Sequence, residues 1–482
     1  MTNKIYKEKI EMRSIHFIVF ILICCVFITS CEDFVDIDPP RNQVISEEVF
    51  ANDETVVGAI SGVYSEMTSN RDNLFNTSLE VYTGKASDEF TNHHSDITHV
   101  QFYTNDLEPS NGILFGSFWR VPYNLIGNVN VIIEQLRINA SVTPSVRDQV
   151  LGEALFIRAF THFNLTNLFG EIPYVTSSSI EITSSITRNS QSDVYESIVQ
   201  DLLEAQSLMQ SDFSFVDGDE RIRPNRAAAT ALLARTYLYM EDWENAEIQA
   251  TNLIDQTDTY FLEDDLNTVF LPESNEAIWQ LKSVASATLQ RTRQGERFII
   301  GFFAPGNFFN VTLSESLLDA FEFDDNRLTS WVGVFTQGSN TWNYPNKYKN
   351  GVFTNINPAE YSVILRLGEQ YLIRAEARAQ QNDLSGSLED VDVIRNRAGL
   401  SLLEDTNPGI SQANLLLAIE QERKIELFAE FGHRWFDLKR TGRVDVVLGA
   451  IKENWQTTDT LFPIPEQEIL NNPNLLPQNP GY

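Results

Sequence analysis

Between Phe118 and Leu136 the apolar residues Trp119, Tyr123, Ile126, Val129, Ile133 and Leu136 return every three or four positions, which places them on one face of a helix. A second run of this kind starts at Ser145 and carries Ala154, Leu155, Ala159, Phe163 and Leu165 to a stop at Gly170 and Pro173. Together the two runs predict a helical hairpin. The pattern recurs from Asp193 through Val194, Tyr195, Ile198, Leu202 and Ala205, and resumes at Asn225 after a polar loop. Leu233, Ala234, Tyr237, Trp243, Ala246, Ala250 and Leu253 have the spacing of a tetratricopeptide unit, in which small residues let two helices approach and aromatic ones fill the gap. Leu367, Gly368 and Tyr371 reopen that pattern, and Ala375, Ala377, Leu388 and Ile394 continue it to Gly399. The expected fold class is all-α, built from stacked helical pairs. Two stretches break the periodicity: Phe302–Phe309, interrupted by Pro305 and Gly306, and Thr329–Gly351, with Trp331, Trp342, Tyr344 and Tyr348 among Gly, Asn, Ser and Pro. Both read as long aromatic loops, and loops of that length usually carry function.

The beginning of the chain follows a different logic. Lys4, Lys7, Lys9 and Arg13 precede an unbroken apolar run from Phe17 to Ile28, and Thr29 and Ser30 lead to Cys31. This is the order of a lipoprotein export signal over residues 1–30, with Cys31 as the acylated residue of the mature chain. The run is too short to span a bilayer comfortably, so the expectation is a soluble body held to a membrane by its lipid. Cys24 and Cys25 leave with the signal, and one modified cysteine permits neither an internal disulfide nor a cysteine metal site.

Charge narrows the partners. The 482 residues carry a formal net charge of -32, and without residues 1–30 the balance is 31 basic against 65 acidic, or -34. A phosphate backbone is repelled by such a field, which excludes nucleic acid; neutral ligands fit best, although a local Arg and Lys cleft can override the global field. At 42% hydrophobic the chain has material for a large core.

Acid–base chemistry has one place to hide. Glu422, Glu426 and Glu430 stack at four-residue steps beside His433 and Asp437, but Arg423, Arg434, Lys439 and Arg440 interleave with them. Salt bridges between packed helices explain that pattern better than catalysis, and no catalytic residue is assigned. His93, His94 and His99 match no zinc spacing, and Asp217, Gly218 and Asp219 lack the register of a calcium loop, so neither a metal nor a cofactor is expected. Neither a phosphate-binding glycine loop nor a serine elbow is present.

Several longer runs resemble one family. Gly152–Phe160 followed by Leu168–Pro173, then Arg395–Leu400, then Glu426–Arg443, and finally Phe462–Pro465 with Gln478–Tyr482 are similar to landmarks of the SusD/RagB nutrient-binding lipoproteins of Bacteroidota. The resemblance implies a right-handed superhelix of tetratricopeptide-like pairs with long irregular loops and few short strands. It also implies an N-terminal region over 31–255 and a C-terminal region over 256–482 within one compact unit. Its further implications are an outer-membrane, cell-surface location, to which Glu32, Asp33, Asp36 and Asp38 after the lipid cysteine are similar in type, and a SusC-type TonB-dependent transporter as partner. Capture of an oligosaccharide without chemical change is the function it points to. Peptide capture is the alternative within the family, while a surface glycoside hydrolase needs a carboxylate pair that the chain offers only in its framework. A bare tetratricopeptide adaptor would lack the aromatic loops.

Sugar recognition requires flat apolar surface for C–H faces and amide or charged groups for hydroxyls. The candidates are Trp331, Trp342, Tyr344 and Phe308 as aromatic surfaces, with Asn92, His94 and Arg327 as polar partners. The family places its ligand contacts in these regions, the loop after the first helix and the loops around the central aromatics.

Overall fold

The helices form where the apolar periodicity puts them. In this computed structural model, which describes residues 49–69, 73–283, 290–309, 311–353 and 358–482, Phe50–Tyr482 pack as one unit. Cys31 and the export signal lie outside the described residues. Helix α1 (Asp53–Met67) begins where the Asn52 side chain accepts from the Thr55 amide, and α2 (Ser78–Ala86) is buried along its whole length. Strand β1 (Phe90–Asn92) and α3 (Ile97–Thr104) follow. A π-helical segment, Leu114–Arg120, runs into α4 (Val121–Ile138), and α5 (Pro144–Phe169) ends at Gly170, the stop expected from sequence.

From there the chain is a succession of packed pairs. Helix α5 lies against both α4 and α6 (Gln191–Leu208), α6 against α7 (Arg226–Tyr239), and α7 against α8 (Trp243–Ile254). After strands β2 (Ala277–Leu281) and β3 (Val311–Leu313), a short helix α9 (Asn326–Trp331) leads into β4 (Val332–Gln337), β5 (Asn340–Pro345) and β6 (Ser362–Arg366). Helices α10 (Leu367–Gln380) and α11 (Leu384–Arg397) form the second tetratricopeptide-like pair, and α10 packs on α8 as well as on α12 (Gln412–Glu426). The chain closes with α13 (His433–Arg440) and α14 (Glu466–Asn471). The fold is all-α in class, with three two-stranded antiparallel sheets, β1–β3, β2–β6 and β4–β5, among the described residues.

Apolar burial holds each pair, and buried guanidinium–carboxylate pairs fix one against the next. Ala375, Ala379, Leu388, Val391, Leu415 and Ile419 form one cluster where α10, α11 and α12 meet. Arg158 of α5 grips Asp201 of α6 with two bonds of 2.7 Å, and Arg235 of α7 grips Glu369 of α10 with two of 2.6 Å. Planar forks of this kind specify register as well as contact, since each charge is stranded if the helices slip. The acidic series near the C terminus belongs to the same framework: Glu426 takes Arg366, Arg397 and Arg327, Glu430 takes Arg366 and Lys347, and Asp437 takes Arg423 and Arg440. Phe462 of the closing segment packs on Phe102, Phe118 and Trp435, while the Asn479 side chain donates to the carbonyls of Phe169 and Phe462.

One expectation needs correction here. The stretch Thr329–Gly351 is not a long irregular loop: its centre is the regular β4–β5 hairpin, paired from Val332↔Pro345 to Gln337↔Asn340 around a two-residue turn. Val332, Val334 and Thr336 on one strand face a partner with Thr341, Trp342 and Tyr344, residue types that suit a pleated surface; Gly338 lies in the turn, whereas Gly333 and Asn343 are carried within the ladder opposite Tyr344 and Val334.

Candidate functional site

The β1–β3 pairing assembles a loop face from distant parts of the chain. Asn92 lies opposite Val311 and Thr91 opposite Thr312, so the loop after β1 runs beside the Phe302–Phe309 segment that precedes β3. Ser95 joins the two loops, its amide and hydroxyl both donating to Asn307 Oδ1 at 3.2 and 3.1 Å. His93 Nε2 lies 2.9 Å from Thr312 Oγ1.

On this face four phenylalanines stand half out of the protein. Phe302, Phe303, Phe353 and Phe308 are 67, 56, 50 and 49% exposed, while Phe309 beneath them is fully buried. Phe302 meets Phe303 edge to face at 5.0 Å and Phe353 at 6.1 Å; Phe308 meets Phe309 at 4.8 Å, and Phe309 meets Phe353 at 6.3 Å. Two loops come together closely enough for this because Gly301 has no side chain: a Cβ there would stand 2.8 Å from Phe353 Cβ. Single exposed apolar residues need no explanation, but a contiguous aromatic patch is a candidate interaction surface.

Beside the patch lies a flat, stacked histidine pair. The His94 and His99 rings stack at 3.7 Å and 13°. His94 Nδ1 accepts from the Asp96 amide at 3.0 Å, and Asn92 holds the turn by donating to the His94 carbonyl at 2.9 Å and accepting from its amide. Underneath, His99 Nδ1 lies 3.2 Å from Tyr82 Oη and 3.4 Å from the buried Lys85 Nζ. Burial and the Lys85 charge push His99 down to about 3 and lower His94 in the same direction, while burial alone brings Lys85 down to about 7. Burial and the nearby positive charge thus favour the neutral form of both rings.

The β4–β5 hairpin supplies a third aromatic element, because β5 packs against β3. Phe335 and Trp342 face each other across it with rings 6.1 Å apart, and Tyr344 lies over Gly333, where a Cβ would intrude to 2.3 Å from the ring. Trp342 and Tyr344 are half-buried.

Of the residues expected from sequence, the fold gathers Asn92, His94 and Phe308 on the loop face and puts Trp342 and Tyr344 on the neighbouring hairpin. Two others do not belong to a surface. Trp331 is completely buried, its indole N–H donating to the Leu266 carbonyl at 2.9 Å and Lys347 Nζ lying 4.6 Å from its ring. Arg327 is 1% exposed and enclosed by Asp325, Glu422 and Glu426, so a ligand has no access to either. Phe302 and Phe303 lie in the aromatic stretch that the sequence marks, but neither they nor Phe353 is singled out there as a contact residue. The available signal was the Gly-Phe-Phe run at 301–303, whereas Phe353 joins it only through the fold. Among the described residues no group of three or more His, Cys, Asp or Glu side chains is placed to hold a metal ion.

Comparison with known proteins fits this architecture. Residues 33–238 match a family model described as SusD-like, starch-binding and associating with the outer membrane, and residues 328–482 match the SusD family model. SusD-like protein P2 of Formosa agariphila is 30% identical over 423 residues, covering 77% of this chain and 81% of its own. The chain belongs to the SusD-like family. SusD-like protein P25 of the same organism is 24% identical over 98% of this chain and its full length. Among solved structures, a SusD superfamily protein from Bacteroides vulgatus superposes with a TM-score of 0.76 at 22% identity, covering 89% of this chain and 99% of that one. A laminarin-binding SusD-like protein superposes with a TM-score of 0.73 at 22% identity, covering 90% and 100%. A surface glycan-binding protein A from Bacteroides fluxus reaches 0.70 at 22% identity, covering 89% and 99%. At this identity the structures speak for the tetratricopeptide-like fold, which the SusD-like chain shares along nearly its whole described length.

Proposed function

We propose that this SusD-like protein captures a neutral oligosaccharide at the cell surface and passes it, chemically unchanged, to a SusC-type TonB-dependent transporter in the outer membrane. The observation that carries the reading is the half-exposed phenylalanine cluster at 302, 303, 308 and 353 beside the stacked His94 and His99 rings. Such a surface suits the C–H faces of sugar rings, and polar groups at its edge, Asn307 and Ser95 among them, suit hydroxyls. The names of relatives agree: one family model is described as starch-binding, and two similar structures are of laminarin-binding and surface glycan-binding proteins. Acylation of Cys31 would hold the body at the membrane. The net charge of -32 favours a neutral ligand over a polyanion. The clustered carboxylates Glu422, Glu426 and Glu430 are held in ion pairs, which suits a binder rather than a hydrolase.

Affinity gel electrophoresis of the mature protein against neutral and acidic polysaccharides tests this reading. Retardation by a neutral polymer, without release of shorter products, supports it. Retardation only by acidic polysaccharides, retardation by none of the panel, or product release contradicts it.

A further inference from the structure

A second groove lies away from the loop face and shares no residue with it. Its volume is about 680 Å³. One wall is the face of α4 that carries Tyr123, Gly127, Asn128 and Val131; the others are the segment 173–186 and the turn formed by α14 and Leu475. Trp119, 3% exposed, backs the α4 wall, and the partly exposed Tyr123 packs on it with ring centroids 4.9 Å apart. Trp119 is delivered by the π-helical segment Leu114–Arg120, in which the Val121 amide reaches back to the Gly116 carbonyl and the Ser117 carbonyl accepts from the Leu74 amide. Wide turns of this kind are rare and concentrate at functional sites.

The chemistry of the lining is selective. Asn124, Asn128, Ser184 and Asn471 supply neutral hydrogen-bonding groups, Glu66 and Glu468 supply carboxylates, and the lining contains no lysine or arginine. Polyanions are disfavoured by such a set, whereas a chain of hydroxyls finds both donors and acceptors beside the partly exposed Tyr123 ring. Gly127 leaves the floor open: nothing lies within 4 Å of the position a Cβ would take.

We infer that the groove between α4, the 173–186 segment and α14 is a second binding site for a neutral oligosaccharide, with Tyr123 as its aromatic surface and Trp119 as the packed ring behind it. The inference rests on the reading of the protein as a glycan binder, but on different residues.

Fluorine NMR of the full mature chain labelled with 5-fluorotryptophan separates the two sites in one spectrum, because Trp119 reports the groove and Trp342 the loop face. The probes are maltohexaose, cellohexaose, laminarihexaose, xylohexaose and mannohexaose, and the Trp119 signal is identified with Trp119→Phe. The expected result is a saturable shift of the Trp119 signal with at least one hexasaccharide, lost in Gly127→Leu and retained in Phe353→Ala. An unchanged wild-type fluorine pattern elsewhere certifies that Gly127→Leu is folded. A Trp119 signal that no hexasaccharide moves overturns the inference, as does a shift that survives Gly127→Leu or one produced only by a tryptic peptide digest. If Trp342 alone responds, the groove fails and the loop face stands; if Trp119 alone responds, the reverse holds.

Discussion

Arg434 Nε donates to Asp88 Oδ1 at 2.7 Å across 346 positions of the chain. Asp88 Oδ2 receives Arg434 Nη2 at 3.1 Å and Lys424 Nζ at 2.9 Å, and all three residues are buried. Burial raises the Asp88 carboxyl, but the Arg434 and Lys424 bonds and charges outweigh it and hold the group well below the usual carboxylate range. This clamp ties α12 and α13 to the connection between α2 and β1. The strand that presents Asn92 and His94 is thus anchored by the most recognisable motif of the C-terminal half.

Removing one side of a buried pair strands the other charge. Arg434→Ala is expected to lower stability by about 3 kcal/mol, read as a drop in the urea midpoint at unchanged slope. A loss below about 1 kcal/mol, the scale of an exposed pair, contradicts the role assigned to the clamp.

Glu89, next in the chain, titrates in the opposite sense. Its carboxylate accepts the Ala429 amide at 2.6 Å, and burial raises it from 4.5 to about 7 against that bond. Between those values the folded protein holds a proton that the unfolded chain has released, so this contribution is complete below about pH 4.5 and is lost as pH rises through about 7. Glu89→Gln, which still accepts the amide, is expected to gain stability relative to the natural protein on going from about pH 5 to about pH 8, by roughly 1–3 kcal/mol. Thermal unfolding of both proteins at the two pH values checks this; a constant difference, or one of opposite sign, refutes it.

Trp331 and Trp342 look alike in the sequence and differ in the fold. Trp331→Ala empties a sealed site and frees the Leu266 carbonyl, so it is expected to cost about 3–5 kcal/mol in chemical denaturation. Trp342→Ala, on the half-buried hairpin, is expected to change stability by no more than about 1 kcal/mol and to weaken glycan retention. Equal losses of stability for the two contradict their assignment to core and surface.

The helical framework was legible because its signal is local. Three-and-four periodicity located α4 to α8, α10 and α11, and Gly170 and Gly399 mark ends that the backbone adopts with φ of +74° and +77°. Interleaved charges near Glu426 were readable as framework because opposite signs at helical spacing satisfy one another. The candidate face was only partly readable, since it depends on pairings at long range. Trp331 among Gly and Asn resembles a loop residue until Leu266, 65 positions away, receives its N–H. Arg327 reads as a surface cation until Glu422 and Glu426 close on it. Phe353 joins Phe302 only because Gly301 admits it, a relation that no periodicity encodes.

Isothermal titration of the mature protein with the neutral polymer that retards it most, compared with Phe302→Ala/Phe353→Ala, addresses glycan capture at the loop face most directly. Both rings are at least half exposed, so the double variant is expected to keep its unfolding midpoint and to bind at least roughly tenfold more weakly, a loss of ~1.4 kcal/mol or more. Undiminished affinity in a folded double variant would contradict it.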